Sequence, residues 1–492
     1  MSTPTPELAP APSVREPTLL EALAPIITII LFLGIGFGVL GIRVEVLLVS
    51  TAVVTGLIAL RLGMSWDEMQ SGIVDSISKA MPAIMIVITV GALIASWLVS
   101  GTIPMIVYYG LQIITPGWFL VTACILCSLV SLVIGTSWGT IGTVGVALIG
   151  IAEGLGVPLA PAAGAIVAGA YFGDKLSPFS DTTNLAPIAA RANLYDHIGH
   201  MIWTTTPAWL LGIGVYLFVG RGHSDGVESP MVAELSAAIT DHFELNILLL
   251  LPALITLAAA IMKKPVIPGM ILSIAVALLL SFTFQNLDER VLGPPGTYEQ
   301  DHHVFVRIIR TLVFGVNPMT ESAELNNILN RGGMESMMGT TLIALCAFTF
   351  AGIASRAGML AVVLRELSRI ARTTGQLVAA TVVSCLTVAG ITGNSYLSIL
   401  VPGELFAPAY KQRGLAAKNL SRTTEDSGTV VVPLIPWSIA SVFIYSVLNV
   451  SAIQYAPWAI MCYTGFLFAL LYGFTGFKIA PRIRDDETKP GS

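Results

Sequence analysis

Between Phe172 and Pro187 the chain reads FGDKLSPFSDTTNLAP, a dense polar run between two apolar segments. Its oxygen-bearing side chains are Asp174, Ser177, Ser180, Asp181, Thr182, Thr183 and Asn184. Hard monovalent cations and hydrated protons take oxygen ligands, and hydroxyls, amides and carbonyls freed at a helix break supply them without excess charge. A carboxylate supplies the countercharge, and a low dielectric favours its neutral form, so a metal ion and a proton can replace one another there. Pro178 and Pro187 interrupt helix and free such carbonyls. Asp181 is the leading candidate, with Na⁺ expected around it. Asp174 beside Lys175 reads equally as a local ion pair.

A second run, LSRTTEDSGT from Leu420 to Thr429, sets Glu425 and Asp426 side by side among Ser421, Thr424, Ser427 and Thr429. Adjacent acids repel, which favours a proton or cation between them; acids inside membrane segments are functional by default. The competing reading is a solvated turn whose acids pair with Arg413, Lys418 and Arg422. Two further stretches, GTSWGTIGT and TGNSYLS, offer Thr136, Ser137, Thr140, Asn394 and Ser395. They suit either the unwound centres of broken helices or close helix packing through small residues. Glu153 and Glu404 read as capping or interfacial acids.

These residues must be positioned by membrane helices. Of 492 residues only 11% are charged while 54% are hydrophobic; a typical soluble domain is about 25% charged. Twenty-five basic against thirty acidic residues, net −5, provide no basic field for nucleic acid. Cys124, Cys127, Cys346, Cys385 and Cys462 all lie in apolar stretches and read as packing thiols. Gly36, Gly38 and Gly41 spell G-x-G-x-x-G inside a span, where close packing explains them better than a nucleotide. Walker, zincin and nucleophile-elbow patterns are absent and the histidines are scattered, so neither an enzyme nor a cofactor is expected.

At roughly 20 apolar residues per crossing, the chain is an all-α polytopic membrane protein with about eleven to thirteen crossings. The stretches Thr140–Ala152, Pro161–Phe172 and Tyr396–Ala409 look too short or too broken for simple spans and suit re-entrant or unwound helices. The halves repeat. GIVDS (Gly72–Ser76) matches GGMES (Gly332–Ser336), and GALIAS (Gly91–Ser96) matches GIAS (Gly352–Ser355). GTSWGT (Gly135–Thr140) matches GNSYLS (Gly393–Ser398), and LSPFSD (Leu176–Asp181) matches LSRTTE (Leu420–Glu425). Duplication with interrupted helices at matching places points to a secondary transporter. The expected organisation is a disordered tail over 1–22 without a cleavable signal, membrane repeats over 23–220 and 245–475, a polar linker over 221–244, a polar loop over 285–335, and a tail over 476–492. Arg356, Arg365, Arg369, Arg372, Lys478, Arg482 and Arg484 place their loops on the cytoplasmic side.

The runs GTSWGTIGTVGVALIGIA, AGAIVAGAYFGDKLSPFSDTTNLAP, TGNSYLSILVPG and LSRTTEDSGTVVVPLIPW resemble the NhaC-type Na⁺/H⁺ antiporter family, from about the first span to Tyr472. The resemblance implies a multi-pass bacterial or archaeal plasma-membrane carrier with two inverted repeats, exchanging Na⁺ for H⁺ with no cofactor. It equally admits Na⁺- or H⁺-coupled carriage of a small organic acid (malate/lactate type) or amino acid. An uncoupled channel or membrane scaffold is the alternative of a different class. Lipid is the expected partner, and a homodimer is left open.

Overall fold

The computed structural model describes residues 15–37, 39–221, 230–262, 264–285, 287, 289–292 and 303–481. Among these, all the regular elements are helices. Eight are long and apolar enough to cross a membrane, or up to ten if each of two bent pairs counts as one span. That is fewer than the eleven to thirteen expected, because apolar helices such as Thr102–Ile113 and Ile460–Thr475 are too short. Conversely, two stretches expected to be broken are continuous helices, Leu159–Leu176 and Ser395–Gln412. Glycine, alanine and proline thin out their apolar signal without ending the helix.

The chain forms two compact units, one of residues 1–79 with 345–366 and the other of 80–344 with 367–492. In the first, helix starts at Leu19, inside the stretch expected as a tail, because Thr18 and Glu21 form a capping box there. Residues 1–14 of that tail lie outside the described residues. So do Gly38, residues 222–229 of the linker, 293–302 of the loop, and 482–492 with Arg482 and Arg484. The described remainder of the linker is helical over Pro230–His242, and the loop contains helices Val304–Phe314 and Ala323–Leu329.

The internal repeat is sharper in the structure than in the sequence. Helices Pro116–Ile134 and Thr374–Thr392 each have 19 residues and end on a left-handed glycine, Gly135 (φ 76°) and Gly393 (φ 58°). The next residues, Thr136 and Asn394, cap the following helix with their side chains. Left-handed Gly156 and Gly414 follow at matching places. Ten-residue helices Asp181–Ala190 and Ile439–Leu448 are capped by Ser180 and Ser438 and terminate on Arg191 and Asn449, both with positive φ. Every one of these positions lies 258 residues after its counterpart, as 393 lies after 135.

This register corrects one sequence match. LSPFS (Leu176–Ser180) corresponds to LIPWS (Leu434–Ser438), not to LSRTTE. The former pair is a helix break closed by a serine cap; LSRTTE is the interior of helix Ala417–Gly428. GGMES runs from left-handed Gly332 and Gly333 into the 3-10 turn Glu335–Met337 that opens the next helix, whereas GIVDS lies within helix Trp66–Val99.

Candidate ion-exchange site

The site lies within the larger unit. Helix Leu159–Leu176 packs tightly on Pro116–Ile134: a Cβ on Gly169 would meet the Cys124 carbonyl oxygen at 2.2 Å. That contact fixes the helix end carrying Asp174 and Lys175. The chain then breaks over Ser177–Ser180 and restarts at Asp181. Thr183 Oγ1 donates to the Asp174 and Lys175 carbonyls at 3.1 Å each, tying the restart to the helix it leaves. Asn184 Nδ2 donates to the carbonyls of Pro178 (2.9 Å) and Ser180 (2.6 Å).

The second wall is Ala417–Gly428, in which every residue from Asn419 onward is buried. Asn419 anchors its start by donating to Ala480 O at 2.7 Å and accepting from Ala480 N at 2.9 Å. Beyond Gly428 the helical path loosens through Val432–Leu434 and bends by 46° into Ile439–Leu448. Pro433 and Pro436 lie in that break, where they remove backbone donors.

Between these walls lies a buried ion pair, Lys175 Nζ with Asp426 Oδ1, at 1% and 0% side-chain exposure. Lys175 thus serves an acid of the other repeat rather than its neighbour Asp174. Thr204 Oγ1 donates to the same Asp426 oxygen at 3.1 Å. Asp174 is also buried, its Oδ2 accepting from Ser137 Oγ at 2.8 Å. Ser137 opens the interrupted helix that runs through a π-helical turn, Ile141–Gly145, into Val146–Gly154. Glu425 is fully buried, with Lys175, Asp174 and Asp426 as its electrostatic neighbours.

Several polar atoms in this cluster make no hydrogen bond: Asp174 Oδ1, both Glu425 carboxylate oxygens, Asp426 Oδ2, Thr429 Oγ1, and Nε and Nη2 of Arg422. Buried polar groups are ordinarily satisfied, so such a concentration marks a place built for something other than rigidity. The solvated-turn alternative does not hold. Arg422 is fully buried on the same helix, its Nη1 donating to Lys478 O at 3.1 Å, while Arg413 donates to the Ala371 and Arg372 carbonyls.

Asp181 is placed differently. It is exposed, accepting from Thr182 N at 2.7 Å and from the Tyr396 hydroxyl. The hydroxyl and amide candidates are largely engaged locally. Ser180 caps Asp181–Ala190 and contacts Thr182 Oγ1 at 3.2 Å; Ser177 Oγ accepts from Phe179 N. Thr140 donates to Thr136 O, Asn394 caps its helix, and Ser427 donates to Thr423 O. Ser395 follows that cap, as the first residue of Ser395–Gln412. Ser421 Oγ contacts His197 Nδ1 at 2.9 Å. No three His, Cys, Asp or Glu side chains among the described residues are arranged to hold a metal ion. Sequence reasoning missed Lys175 as a partner across the repeats, the buried state of Arg422, and the contacts of His197, His200 and Thr204. Helical spacing of polar residues along His197–Thr204 was the available signal.

Residues 169–477 match the Na⁺/H⁺ antiporter family. The chain is 43% identical over 476 residues to an uncharacterized Na⁺/H⁺ antiporter of Haemophilus influenzae, covering 95% of this chain and 98% of the relative. It is 35% identical to the Na⁺/H⁺ antiporter NhaC of Alkalihalophilus pseudofirmus, covering 90% and 92%. The chain belongs to the Na⁺/H⁺ antiporter family. A malate-2H⁺/Na⁺-lactate antiporter of Bacillus subtilis is also similar, at 32% identity over 94% of this chain and 96% of that one. The antiporter is therefore a multi-pass plasma-membrane transport protein rather than an enzyme. The carboxylates at issue fall inside the matched region, from Asp174 to Asp426.

Proposed function

We propose that the antiporter exchanges Na⁺ for H⁺ by competition at the buried carboxylates Asp174, Glu425 and Asp426, with Asp181 at the exposed approach. One observation carries this reading: three buried acids face two buried cations, Lys175 and Arg422, and four of the acids' oxygens make no hydrogen bond. The cluster therefore has one formal negative charge in excess. One Na⁺ or one proton neutralises it, and not both. A loaded, neutral site can change its exposure between the two sides; an empty one carries a charge into low dielectric at a cost of several kcal/mol. Antiport follows without a separate gate for each ion. Two repeats of opposite orientation, meeting at the broken segments, would give the alternating access this needs.

The test is exchange in proteoliposomes with a pH-sensitive dye. Added Na⁺ alone collapses an imposed pH gradient, and the half-saturating Na⁺ concentration rises about tenfold per unit fall in pH, as for one proton displaced per ion. Half-saturation unchanged across pH would sink the competitive scheme. The similarity to a malate-2H⁺/Na⁺-lactate antiporter supports a second reading, coupled carriage of a small organic acid. In that case collapse requires the organic acid as well as Na⁺.

A further inference from the structure

Three residues after the left-handed glycine that ends each 19-residue helix stands an aromatic, Trp138 in the first repeat and Tyr396 in the second. The same scaffold places both. A Cβ on Gly135 would meet Phe179 Cβ at 2.7 Å, and one on Gly393 would meet Ser438 Cα at 3.0 Å. Each glycine therefore lies against the serine-capped break of its own repeat. The aromatic that follows reaches the ten-residue helix of the other repeat. Trp138 stacks on Phe443 of Ile439–Leu448, with ring centroids 4.7 Å apart and planes 9° from parallel. Tyr396 donates its hydroxyl to Asp181, the first residue of Asp181–Ala190.

The two contacts join corresponding elements but differ in state. Phe443 is 1% exposed, and a Cβ on Gly142 would touch its ring at 3.4 Å, so that contact is closed. Tyr396 is 45% exposed and Asp181 is exposed as well. In the register of the repeat, Phe443 and Gly142 have Leu185 and Leu400 as counterparts, which share one small apolar cluster. The backbone differs too. Past Trp138 the helix runs through the π-helical turn Ile141–Gly145, while the matching residues 399–403 are regular α-helix. Such turns concentrate where a helix serves function rather than packing. Both aromatics border the carboxylates. Ser137, next to Trp138, donates to Asp174, and Tyr396 has Asp174 as an electrostatic neighbour beyond Asp181.

We propose that Trp138 on Phe443 and Tyr396 on Asp181 are the two gates of the exchange, an inference that rests on the competitive reading above. With the repeats in opposite orientation, the gates stand toward opposite sides of the membrane. An ion cannot pass the buried stack, which offers it no compensating polar partner. The tyrosine guards the other mouth with a contact that a cation can replace, since hydroxyl and Na⁺ use the same carboxylate oxygen. In the opposite-facing state the stack parts and the tyrosine side is sealed. Trp138, Phe443 and Tyr396 are positioning residues: they decide when the cluster is open, so their loss costs coupling before it costs binding.

The test reads two uncoupled fluxes of the full chain in proteoliposomes, release of labelled Na⁺ without proton uptake and entry of protons without Na⁺. Potassium with valinomycin dissipates the membrane potential throughout. Trp138→Ala and Tyr396→Ala each leave one mouth unsealed while the other opens, and each raises uncoupled flux several-fold over wild type. A packing role alone lowers coupled exchange and opens no leak, so uncoupled flux at the wild-type level in either variant overturns the gate it carries. If Trp138→Ala does not reach the membrane, Phe443→Leu removes the stack and installs the residue type found at the matching position of the first repeat. Raised uncoupled flux there supports the gate, and its absence overturns it. Wild-type protein that passes either ion uncoupled refutes the competitive reading itself, a result distinct from any variant outcome.

Discussion

In the first repeat, helix Leu159–Leu176 is built largely of glycine and alanine and packs its backbone against Pro116–Ile134. The corresponding stretch of the second repeat is Ala417–Gly428 and its extension to Leu434, which carries Ser421, Arg422, Glu425 and Asp426 in the interior. In the 258-residue register Glu425 and Asp426 fall on Val167 and Ala168, and Asp174 and Lys175 fall on Val432 and Pro433. The caps, and the lengths of the 19-residue and 10-residue helices, were kept while the charges were not. One skeleton thus supports a packing helix in one copy and a polar helix in the other. The Lys175–Asp426 pair joins them, and no symmetric partner of that pair exists in the sequence.

The sharpest way to break this comparison is to remove one partner of the pair. Lys175→Gln leaves Asp426 buried without its cation, which typically costs about 3–5 kcal/mol, and transport is lost with reduced yield of folded protein. The double variant Lys175→Gln/Asp426→Asn restores yield, because two neutral amides can bond each other, but not exchange. Thermal unfolding in detergent together with proteoliposome flux measures both. A double variant as unstable as the single one would show that the pair is not the reason for the loss.

A somewhat smaller effect separates the two helices as scaffold and site. Gly169→Ala places a methyl at 2.2 Å from the Cys124 carbonyl, so the helices must part, at a cost of about 1–3 kcal/mol. The corresponding residue of the second repeat is Ser427, and Ser427→Ala removes a hydroxyl that donates to Thr423 O and touches Cys385, without forcing any backbone apart. Melting temperature should fall for the first substitution and hardly move for the second. Equal shifts would mean the two helices share one packing role after all.

Much of this was legible in the sequence. Apolar runs disclosed an all-helical membrane protein, and G-x-S at 135–137 and 393–395 located the strongest point of the repeat, because a left-handed glycine followed by a polar cap leaves a recognisable trace. The match of LSPFSD to LSRTTE failed for a physical reason. Serine next to leucine occurs both at a helix break and inside a polar helix, and only the Ser180 and Ser438 caps distinguish the true partners. Burial was the other hidden quantity. A helix as polar as AKNLSRTTEDSG reads as a surface, and only the packing of helices from both repeats around it shows that it is interior. For the same reason Asp181, the most conspicuous acid in the sequence, is exposed in the fold, while Asp426, flanked by basic residues in sequence, is not.

That contrast yields the smallest and most discriminating expectation. Asp181 has an isoleucine, Ile439, as its repeat counterpart, lies outside the buried cluster, and is held by Tyr396 and its own helix N-terminus. Its charge is felt by the buried Asp174. A carboxylate so placed attracts a cation toward the buried acids without having to give up a proton for exchange. Asp181→Asn should therefore raise half-saturating Na⁺ several-fold, leave the maximal rate largely intact, and leave the pH slope of Na⁺ competition unchanged. Asp426→Asn should remove exchange at every Na⁺ concentration. The measurement is a Na⁺ titration of flux at several pH values for both variants. If Asp181→Asn instead abolishes the maximal rate or flattens the pH slope, the exchanging proton belongs to the exposed acid, and the buried cluster is support rather than site.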